Sequence, residues 1–414
     1  MNATARKRQT AHPASPYTVL RDADWLTATR ARDYARMLMG MMLIAVVVWV
    51  GWAAVHQGLD PLGKPLGADF PSFWAASRLA LDQMPTSAYD EPIHWAVQRA
   101  AFSGAPVGYS AFFYPPPYLL ACLPLALLPY LPALGAWTLA TGASLMAAIR
   151  TLTPDRGAAL GLAAYPAVFS NLAHGQNAFL TTGLFAASLL GAQARPVLSG
   201  LLLGLLVIKP HLALVVPVAL LAAGRWRMIT AAALSSIAAC LAAWLVFGDE
   251  TWLAFLQASP IARQALEQNL VGDAKMQSLF AAVRLMGGPV PLAWTLQIAL
   301  SLGVIGALAH LVRKTRNVTA QAAMTACAAL LASPFLLDYD LMLAALPLLW
   351  LLREGRRTGF RPWEKTVMLA AFVLPLVSRL LAGNLHLPTA PLVLAALFAV
   401  VVRRAAAEAA PQLR

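Results

Sequence analysis

The chain has 414 residues, of which 59% are hydrophobic and 12% are charged. An average soluble domain has about 25% charged residues, so this composition excludes an ordinary soluble enzyme and indicates an all-α polytopic membrane protein. The formal net charge of +13 would suit nucleic acid binding, but the basic residues are spread over short loops between hydrophobic spans. We therefore expect no nucleic acid partner.

The first 36 residues are polar and basic, and we expect most of them to be disordered, apart from a surface helix between Asp22 and Arg36. The uncharged stretch from Met37 to Val55 follows, and it is close to the roughly 20 residues needed to cross a bilayer. Because several further spans follow, this first one is not a cleaved signal peptide.

Clusters of arginine and lysine mark one side of the membrane. By the positive-inside rule they predict a cytoplasmic segment at 1–36, a transmembrane domain at 37–402 and a cytoplasmic tail at 403–414. Residues 56–114 then form the first outer loop. The clusters are Arg6-Lys7-Arg8, Arg30, Arg32, Arg36, Arg225, Arg227, Arg313-Lys314, Arg316, Arg353, Arg356, Arg357, Arg361 and Arg403-Arg404.

The outer loop contains two predicted helices, at 70–84 and 91–102, and their apolar faces suit the membrane interface. Asp69 stands just before the first of them and before Pro71. It can act as an N-cap that accepts backbone hydrogen bonds, or as a general base at the membrane surface, and the two roles are compatible.

Many later apolar segments are too short to cross the membrane alone, which is tolerated only where protein or a water-filled cavity satisfies the backbone. We expect about 10 to 13 transmembrane helices, several of them short or broken. Residues 117–150 make either one broken crossing or two. We favour one, because it places every basic loop on the cytoplasmic side.

Lys209-Pro210-His211 interrupts a long uncharged stretch. A lysine at mid-membrane costs roughly 2.5 to 3.5 kcal/mol, so it should face a cavity or an anionic partner. The alternative is a lysine that extends to the surface from a helix end. His174-Gly175-Gln176-Asn177 offers hydrogen-bonding groups suited to a sugar, or a glycine C-cap followed by an asparagine N-cap.

Three further groups are candidates for substrate contacts. Asp338 and Asp340 could hold a divalent cation or form a solvated turn, and we favour the turn, with no metal or other cofactor required. Gln277 follows a polar loop. Arg284 and Arg379 could bind phosphate through their guanidinium groups, although Arg379 also suits anchoring at lipid headgroups.

Taken together, these residues resemble glycosyltransferase family 87. The motifs that carry the resemblance, in chain order, are Ala68-Asp69-Phe70, Trp74-Ala75-Ala76, Tyr89, Phe113-Tyr114-Pro115-Pro116, Leu123-Pro124-Leu125, Trp137, Gly175-Gln176-Asn177, Lys209-Pro210, Arg225-Trp226-Arg227, Gln277-Ser278 and Ser333-Pro334. The resemblance implies a C-type glycosyltransferase bundle that uses a polyprenyl-phosphate sugar, typically mannose. It implies inverting transfer on the outer side of the plasma (inner) membrane.

The same resemblance implies roles for individual residues. Asp69 is the expected general base, and Lys209 is expected near the donor phosphate, with His211, Arg284 and Arg379 as further cations. Substrate contacts are expected from Tyr114, His174, Gln176, Asn177, Gln277, Asp338 and Asp340. Relatives often carry histidine at the position of Asp340, so this chain departs from the family there.

Besides the sugar donor, the expected partners are a lipid or glycan acceptor and membrane lipids. Two other functions remain compatible with the sequence. A carrier or flippase for a lipid-linked sugar would use the same cations without a base, although the absence of a visible internal repeat counts against it. A glycan polymerase or ligase would use a diphosphate donor.

Overall fold

The structure is a computed structural model that describes residues 15–150, 152, 155–272 and 274–409. Within these ranges the chain is helical and contains no β-strand. In chain order the α-helices are α1 (Pro16–Asp22), α2 (Ala28–Val55), α3 (Phe70–Leu81), α4 (Glu91–Ala100), α5 (Pro116–Cys122), α6 (Tyr130–Ile149), α7 (Arg156–Ala163), α8 (Pro166–His174), α9 (Ala178–Gly191), α10 (Pro196–Gly204), α11 (Pro210–Ala213), α12 (Val216–Ala222), α13 (Trp226–Glu267), α14 (Leu279–Leu285), α15 (Val290–Lys314), α16 (Val318–Ala332), α17 (Ala345–Thr358), α18 (Glu364–Leu385) and α19 (Ala390–Ala409).

The expected polytopic membrane class is confirmed. Six helices in the described part of the chain are long and apolar enough to cross a membrane, namely α2, α6, α13, α15, α18 and α19. Five shorter apolar helical stretches complete the bundle, at 116–127, 178–191, 196–208, 210–222 and 318–332. Prolines explain several of these breaks, since α5, α10 and α11 each have proline in the first turn, where the missing amide removes no helical hydrogen bond.

Four 3-10 segments join or extend the short helices, at Pro85–Tyr89, Leu123–Leu127, Leu205–Ile208 and Asp338–Ala344. The last of them is fully buried and runs directly into α17. A second kind of break occurs in α13, where Gly248 has φ 77° and ψ 175°. Glycine tolerates this conformation because it has no Cβ, so the helix changes direction at that residue.

Hydrogen bonds and ion pairs define two ends of the bundle, which we call the Asp69 end, after the residue at the start of α3, and the basic end, after the arginines at the end of α17. The Asp69 end joins the outer loop to the start of α6, where the Tyr130 hydroxyl donates to Leu66 O at 2.6 Å. The basic end joins the loop before α7 to the end of α17 through an ion pair between Asp155 and Arg356. Since α6 runs from the first end to the second, residues 117–150 make a single crossing in this fold.

Both ends of the described part of the chain lie at the basic end of the bundle. Arg404 of α19 pairs with Glu364 at the start of α18 at 3.4 Å, and the Trp363 amide donates to Arg21 O near the start of the chain. Which membrane face this end occupies stays a prediction from the positive-inside rule.

The N-terminal segment differs from its expectation in the part that is described. Residues 1–14 lie outside the described ranges. α1 is helical where disorder was expected, whereas the first turns of α2 fall within the surface helix expected between Asp22 and Arg36 and continue into the first span. Ser15 and Thr27 cap these helices, accepting from Thr18 N and Arg30 N at 3.3 and 3.2 Å. Tyr17 packs edge-on against Trp363, so contact with α18 stabilises the segment.

The two outer-loop helices are present as α3 and α4, but some of the apolar residues that suited the membrane interface are covered by protein instead. Leu79 of α3 and Phe102, which follows α4, are buried within the protein, and so is the polar Gln98 of α4. Gln98 donates to Ser110 O at 2.8 Å. The rings of the outer loop pack on one another, as where Phe73 contacts Tyr118 edge-on, and this packing covers α3.

Gly175 controls how closely α8 approaches the start of α3. Its φ is +62°, and a Cβ there would lie 2.6 Å from the Phe70 Cβ and 2.8 Å from a Leu134 methyl carbon. We expect Gly175→Ala to lower the melting temperature in detergent, since overpacking of this kind costs about 1 to 3 kcal/mol. Gly224→Ala is the matched control, because Gly224 has φ +66° but no atom within 4 Å of the added Cβ. Equal melting temperatures for the two variants would contradict this explanation.

Candidate active site

Asp69 occupies the N-cap position of α3, yet its side chain makes no capping hydrogen bond. The carboxylate instead accepts from Lys275 Nζ at 3.1 Å (Oδ1) and 3.0 Å (Oδ2), and from Gln176 Nε2 at 3.1 Å. The Asp69 amide donates to His174 O at 2.9 Å, which holds the start of α3 against the end of α8. The capping alternative is therefore not realised, and the carboxylate faces cationic and amide groups.

Lys209 lies at the break between the 3-10 segment Leu205–Ile208 and α11, since Pro210 begins the next helix. Its ammonium group is buried, forms an ion pair with Asp340 and donates to Asn177 Oδ1 at 3.2 Å. Asp340 also accepts from the Leu337 amide at 3.2 Å. The alternative of a lysine extending to the surface is therefore excluded, because both charges are enclosed in protein.

Gln176, Asn177 and Tyr339 join these two ion pairs into one cluster. Gln176 binds Asp69, while its neighbour Asn177 binds Lys209. The Tyr339 ring centroid lies 5.0 Å from Lys209 Nζ and 5.7 Å from Lys275 Nζ. Such distances are within the range of cation–π attraction. Asp69 and Lys209 thus belong to one connected cluster of side chains, and its role as a catalytic site stays a prediction.

Two other predicted substrate contacts border the cluster. The Tyr114 hydroxyl donates to Gln176 Oε1 at 3.1 Å, and the His174 ring lies 5.6 Å from the Tyr339 ring. His174 also forms the last turn of α8, where Gly175 adopts the left-handed conformation of a C-cap. The glycine C-cap of the alternative is therefore present, but the Asn177 side chain makes no capping hydrogen bond at the start of α9, so the asparagine N-cap is not.

Arg379 and Asp338 form a second, more open ion pair at 3.5 Å, in which the Arg379 side chain is 53% exposed. The Asp338 amide donates to Lys275 O at 3.2 Å, so this pair is attached to the loop that carries Lys275. Gln277 extends the same contact, because its amide donates to Leu336 O at 2.7 Å. The loops before α14 and α17 therefore hold each other in place.

Two of the predicted phosphate-binding residues make their contacts elsewhere. Arg284 donates to Gly288 O at 2.8 Å and to Glu267 O at 3.5 Å, so it closes the end of its own helix. His211 packs against Phe335 with ring centroids 6.1 Å apart, and its Nε2 is buried without a hydrogen-bond partner. Neither set of contacts reaches the Asp69 carboxylate.

Electrostatics keep Asp69 ionised. Burial opposes ionisation, but Lys275, His174 and the hydrogen bonds from Gln176 and Lys275 outweigh it, so the pKa of Asp69 lies below its ordinary value. The Asp69 and Lys275 side chains remain 18% and 15% exposed, whereas those of Lys209 and Asp340 are 3% and 0% exposed. A small molecule can therefore reach Asp69 and Lys275 more readily than Lys209.

No group of three or more metal-binding side chains occurs within the residues that the structure describes. Asp338 and Asp340 do not face a common point as a pair of ligands, because each has its own cationic partner. The buried 3-10 segment that they begin is not the solvated turn that we favoured from sequence.

Lys275 and Tyr339 are the site residues that the sequence analysis missed. Lys275 ends a polar loop, where an exposed lysine has no energetic cost and so gives no signal of the kind that singled out Lys209. Tyr339 lies between Asp338 and Asp340, and only these two aspartates were considered as candidate site residues. Only the contact between the loops before α14 and α17 brings both residues to Asp69.

Comparison with known families supports the resemblance noted above. The family described as "Glycosyltransferase family 87" matches residues 112–334, which is more than half of the chain. The matched range includes Gln176, Asn177, Lys209 and Lys275 but not Asp69, so the case for Asp69 rests on its geometry. Comparisons with curated proteins and with solved structures find no match.

Proposed function

Because this chain belongs to glycosyltransferase family 87 and is thus a membrane glycosyltransferase, we propose that it transfers mannose from a polyprenyl-phosphate donor to a lipid or glycan acceptor. The observation that carries the proposal is the Asp69 carboxylate, ionised and partly exposed, beside Lys275 and in one cluster with Lys209. A base and an anion-binding group are the two parts that this chemistry needs.

The proposed reaction is a single displacement. Asp69 accepts the proton of an acceptor hydroxyl as that oxygen attacks the anomeric carbon. The bond from this carbon to the phosphate oxygen breaks, and its electron pair leaves with the polyprenyl phosphate. Because attack comes from the face opposite the leaving group, the anomeric configuration inverts.

Cations near Asp69 stabilise the phosphate as its negative charge grows. Lys275 and Arg379 suit this role because both side chains are partly exposed and each is held by a carboxylate that a phosphate can replace. When Lys275 turns to the phosphate, the Asp69 oxygens become free to accept the acceptor proton. Lys209 stays paired with Asp340, and its hydrogen bond to Asn177 holds that side chain next to the proposed sugar site.

Neutral groups around the cluster suit a sugar. The Tyr114 hydroxyl and the Gln176 and Asn177 amides lie within one hydrogen-bonded set next to Asp69. Amides and hydroxyls bind sugar hydroxyls without adding charge. We propose that they orient the donor sugar, with its polyprenyl tail between helices, at the outer face of the plasma membrane.

A donor screen tests the proposed function. Purified protein would be given polyprenyl monophosphates that carry different sugars, with a mixture of membrane glycolipids as acceptors. We expect transfer from the mannosyl donor, with a product of inverted configuration. Transfer only from diphosphate donors would replace the proposal with a polymerase or ligase, and movement of the donor across vesicles without transfer would replace it with a carrier.

Lys275 should set the pH range in which Asp69 acts as a base. Lys275→Met removes the ammonium group that lowers the pKa of Asp69 and leaves the opposing effect of burial, so this pKa should rise. Transfer is lost as the pH falls through the pKa of the base. The acid limb of the kcat/KM profile should therefore move to higher pH. Lys275→Arg retains the charge and should keep the limb near its original place, whereas an unmoved limb in Lys275→Met would contradict this role.

A further inference from the structure

A cavity of about 670 Å³ lies at the basic end of the bundle, away from Asp69. Its walls come from the turn before α2, the first half of α2, and parts of α7, α17 and α18. On α2 the lining extends from Ala28 to Met41, a distance of about 20 Å along the helix. The lining therefore begins in the segment predicted to be cytoplasmic and continues into the predicted span, which starts at Met37.

The cavity exists because α2 stands apart from the bundle along this part of its length. Of its residues only Ala35 and Ala53 are buried. On the opposite wall α7 presents Gly157 and Gly161, and a Cβ added to Gly161 would meet no atom within 4 Å. Small side chains on one wall and an unpacked helix on the other leave a cleft between them.

The chemistry of the lining suits a hydrocarbon chain. Leucine, methionine and phenylalanine dominate it, among them Leu38, Leu349, Met368 and Phe372. Water gains few hydrogen bonds in such a space, whereas a chain from the surrounding bilayer fills it without exposing any polar group. The volume is within the range of about 300 to 1,000 Å³ that is usual for small-molecule sites.

The mouth of the cavity is positively charged. Arg32, Arg356 and Lys365 line it from three different helices. Arg356 is paired with Asp155 and Lys365 with Asp24 at 3.7 Å, so Arg32 is the cation that leaves the mouth with a net positive charge. Arg32 makes no ion pair with another described residue. Its Nε donates to the backbone oxygen of Ala28, one turn earlier in the same helix. Arginine and lysine at the membrane surface attract anionic lipid headgroups, so charge complementarity indicates which lipid occupies the cleft.

The cavity is separate from the site around Asp69. It follows the first half of α18 from Lys365 to Val373, whereas Arg379 lies further along that helix, where it pairs with Asp338 of the 3-10 segment. Its inner end reaches Tyr165 and Ala345, and the Tyr165 hydroxyl donates to Leu341 O at 2.8 Å. Leu341 belongs to the 3-10 segment that carries Asp340, so an occupant would support this segment from the basic end.

We propose that this cavity binds one phospholipid with an anionic headgroup, whose acyl chain lies between α2, α17 and α18 and whose phosphate meets Arg32, Arg356 and Lys365. The inference does not depend on the sugar or acceptor of the proposed reaction. Its expected consequence is a more stable bundle when the lipid is present, because a ligand that binds only the folded state stabilises it.

Native mass spectrometry and thermal unfolding of the full chain in neutral detergent test the proposal. Phosphatidylglycerol, phosphatidylcholine with the same acyl chains, and inorganic phosphate would be added separately. We expect one phosphatidylglycerol to remain bound and to raise the melting temperature, with weaker effects of phosphatidylcholine and none of phosphate. Equal retention of the two lipids, or equal stabilisation by phosphate alone, would overturn the proposal.

Two kinds of variant locate the lipid. Gly161→Trp fills the cleft and should abolish the preference for phosphatidylglycerol, while Gly303→Trp adds the same bulk to an exposed position of α15 and should leave it unchanged. Arg32→Gln leaves the cleft open and should weaken binding about fivefold, the contribution of one cation at a membrane surface. This variant keeps the test valid if Gly161→Trp does not fold. Undiminished preference in Arg32→Gln or in folded Gly161→Trp would show that the lipid binds elsewhere.

Discussion

Replacing Asp69 with asparagine should reduce sugar transfer by about 10²- to 10⁴-fold, the usual contribution of a positioned general base. Asparagine has nearly the same shape and can still accept the hydrogen bond that Gln176 now donates to Asp69 at 3.1 Å. It cannot take a proton from the acceptor hydroxyl, so the chemical step should fail while the site stays folded. Initial rates with the mannosyl donor measure the effect.

Donor binding separates loss of the base from loss of the site. We expect Asp69→Asn to bind the polyprenyl-phosphate sugar at least as well as the native chain, because Lys275 loses its carboxylate partner and is free for phosphate. Asp82→Asn, at the exposed far end of the same helix, is the matched control and should transfer sugar normally. Normal transfer by Asp69→Asn would remove Asp69 from the mechanism.

Lys209→Met should destabilise the protein by about 3 to 5 kcal/mol, because it leaves the buried Asp340 carboxylate without its cation. The loss should appear as a lower melting temperature in detergent. Arg263→Met provides the control, since Arg263 pairs with Glu267 while 71% exposed. Pairs as exposed as this contribute about 0 to 1 kcal/mol, so the control should unfold near the native temperature.

A double variant tests whether the charge imbalance causes the loss. Asn at position 340 keeps an oxygen that can accept from the Leu337 amide but carries no charge. Lys209→Met with Asp340→Asn should therefore recover much of the stability lost in the single variant. Failure to recover would mean that Lys209 acts through other contacts. If the double variant folds, its affinity for the donor tests whether Lys209 binds the donor phosphate. Unchanged affinity would mean that Lys209 has a structural role alone.

The sequence was informative wherever a residue type violated its surroundings. Lys209 stood out because a cation inside an apolar stretch is costly, and the structure pairs it with an anion. Asp69 stood out because it stands directly before an aromatic and apolar helix in the first outer loop. The polar turn at His174 stood out between two apolar helices. In each case the local cost or the isolation of the residue pointed to a buried or functional contact.

The sequence was uninformative where a residue type is common in its local setting. Arg284 was predicted to bind phosphate; in the structure it donates to Gly288 O at the end of its own helix, and the phosphate role stays a prediction. Lys275 was passed over because a lysine in a polar loop needs no explanation. The outer-loop helices were placed on the membrane interface, because their amphipathic pattern does not distinguish lipid from the aromatic core that covers them.

The sequence by itself determined the membrane class, the helical content and the family, and it singled out Asp69 and Lys209, which the structure places in one cluster. Only the tertiary structure decided the ion pairs. Lys275 reaches Asp69 across 206 positions of the chain, and Asp340 reaches Lys209 across 131. The physical reason is that such pairs depend on how the loops before α14 and α17 dock on α3 and α11. Helix periodicity and charge pattern describe each segment alone and carry no information about that docking.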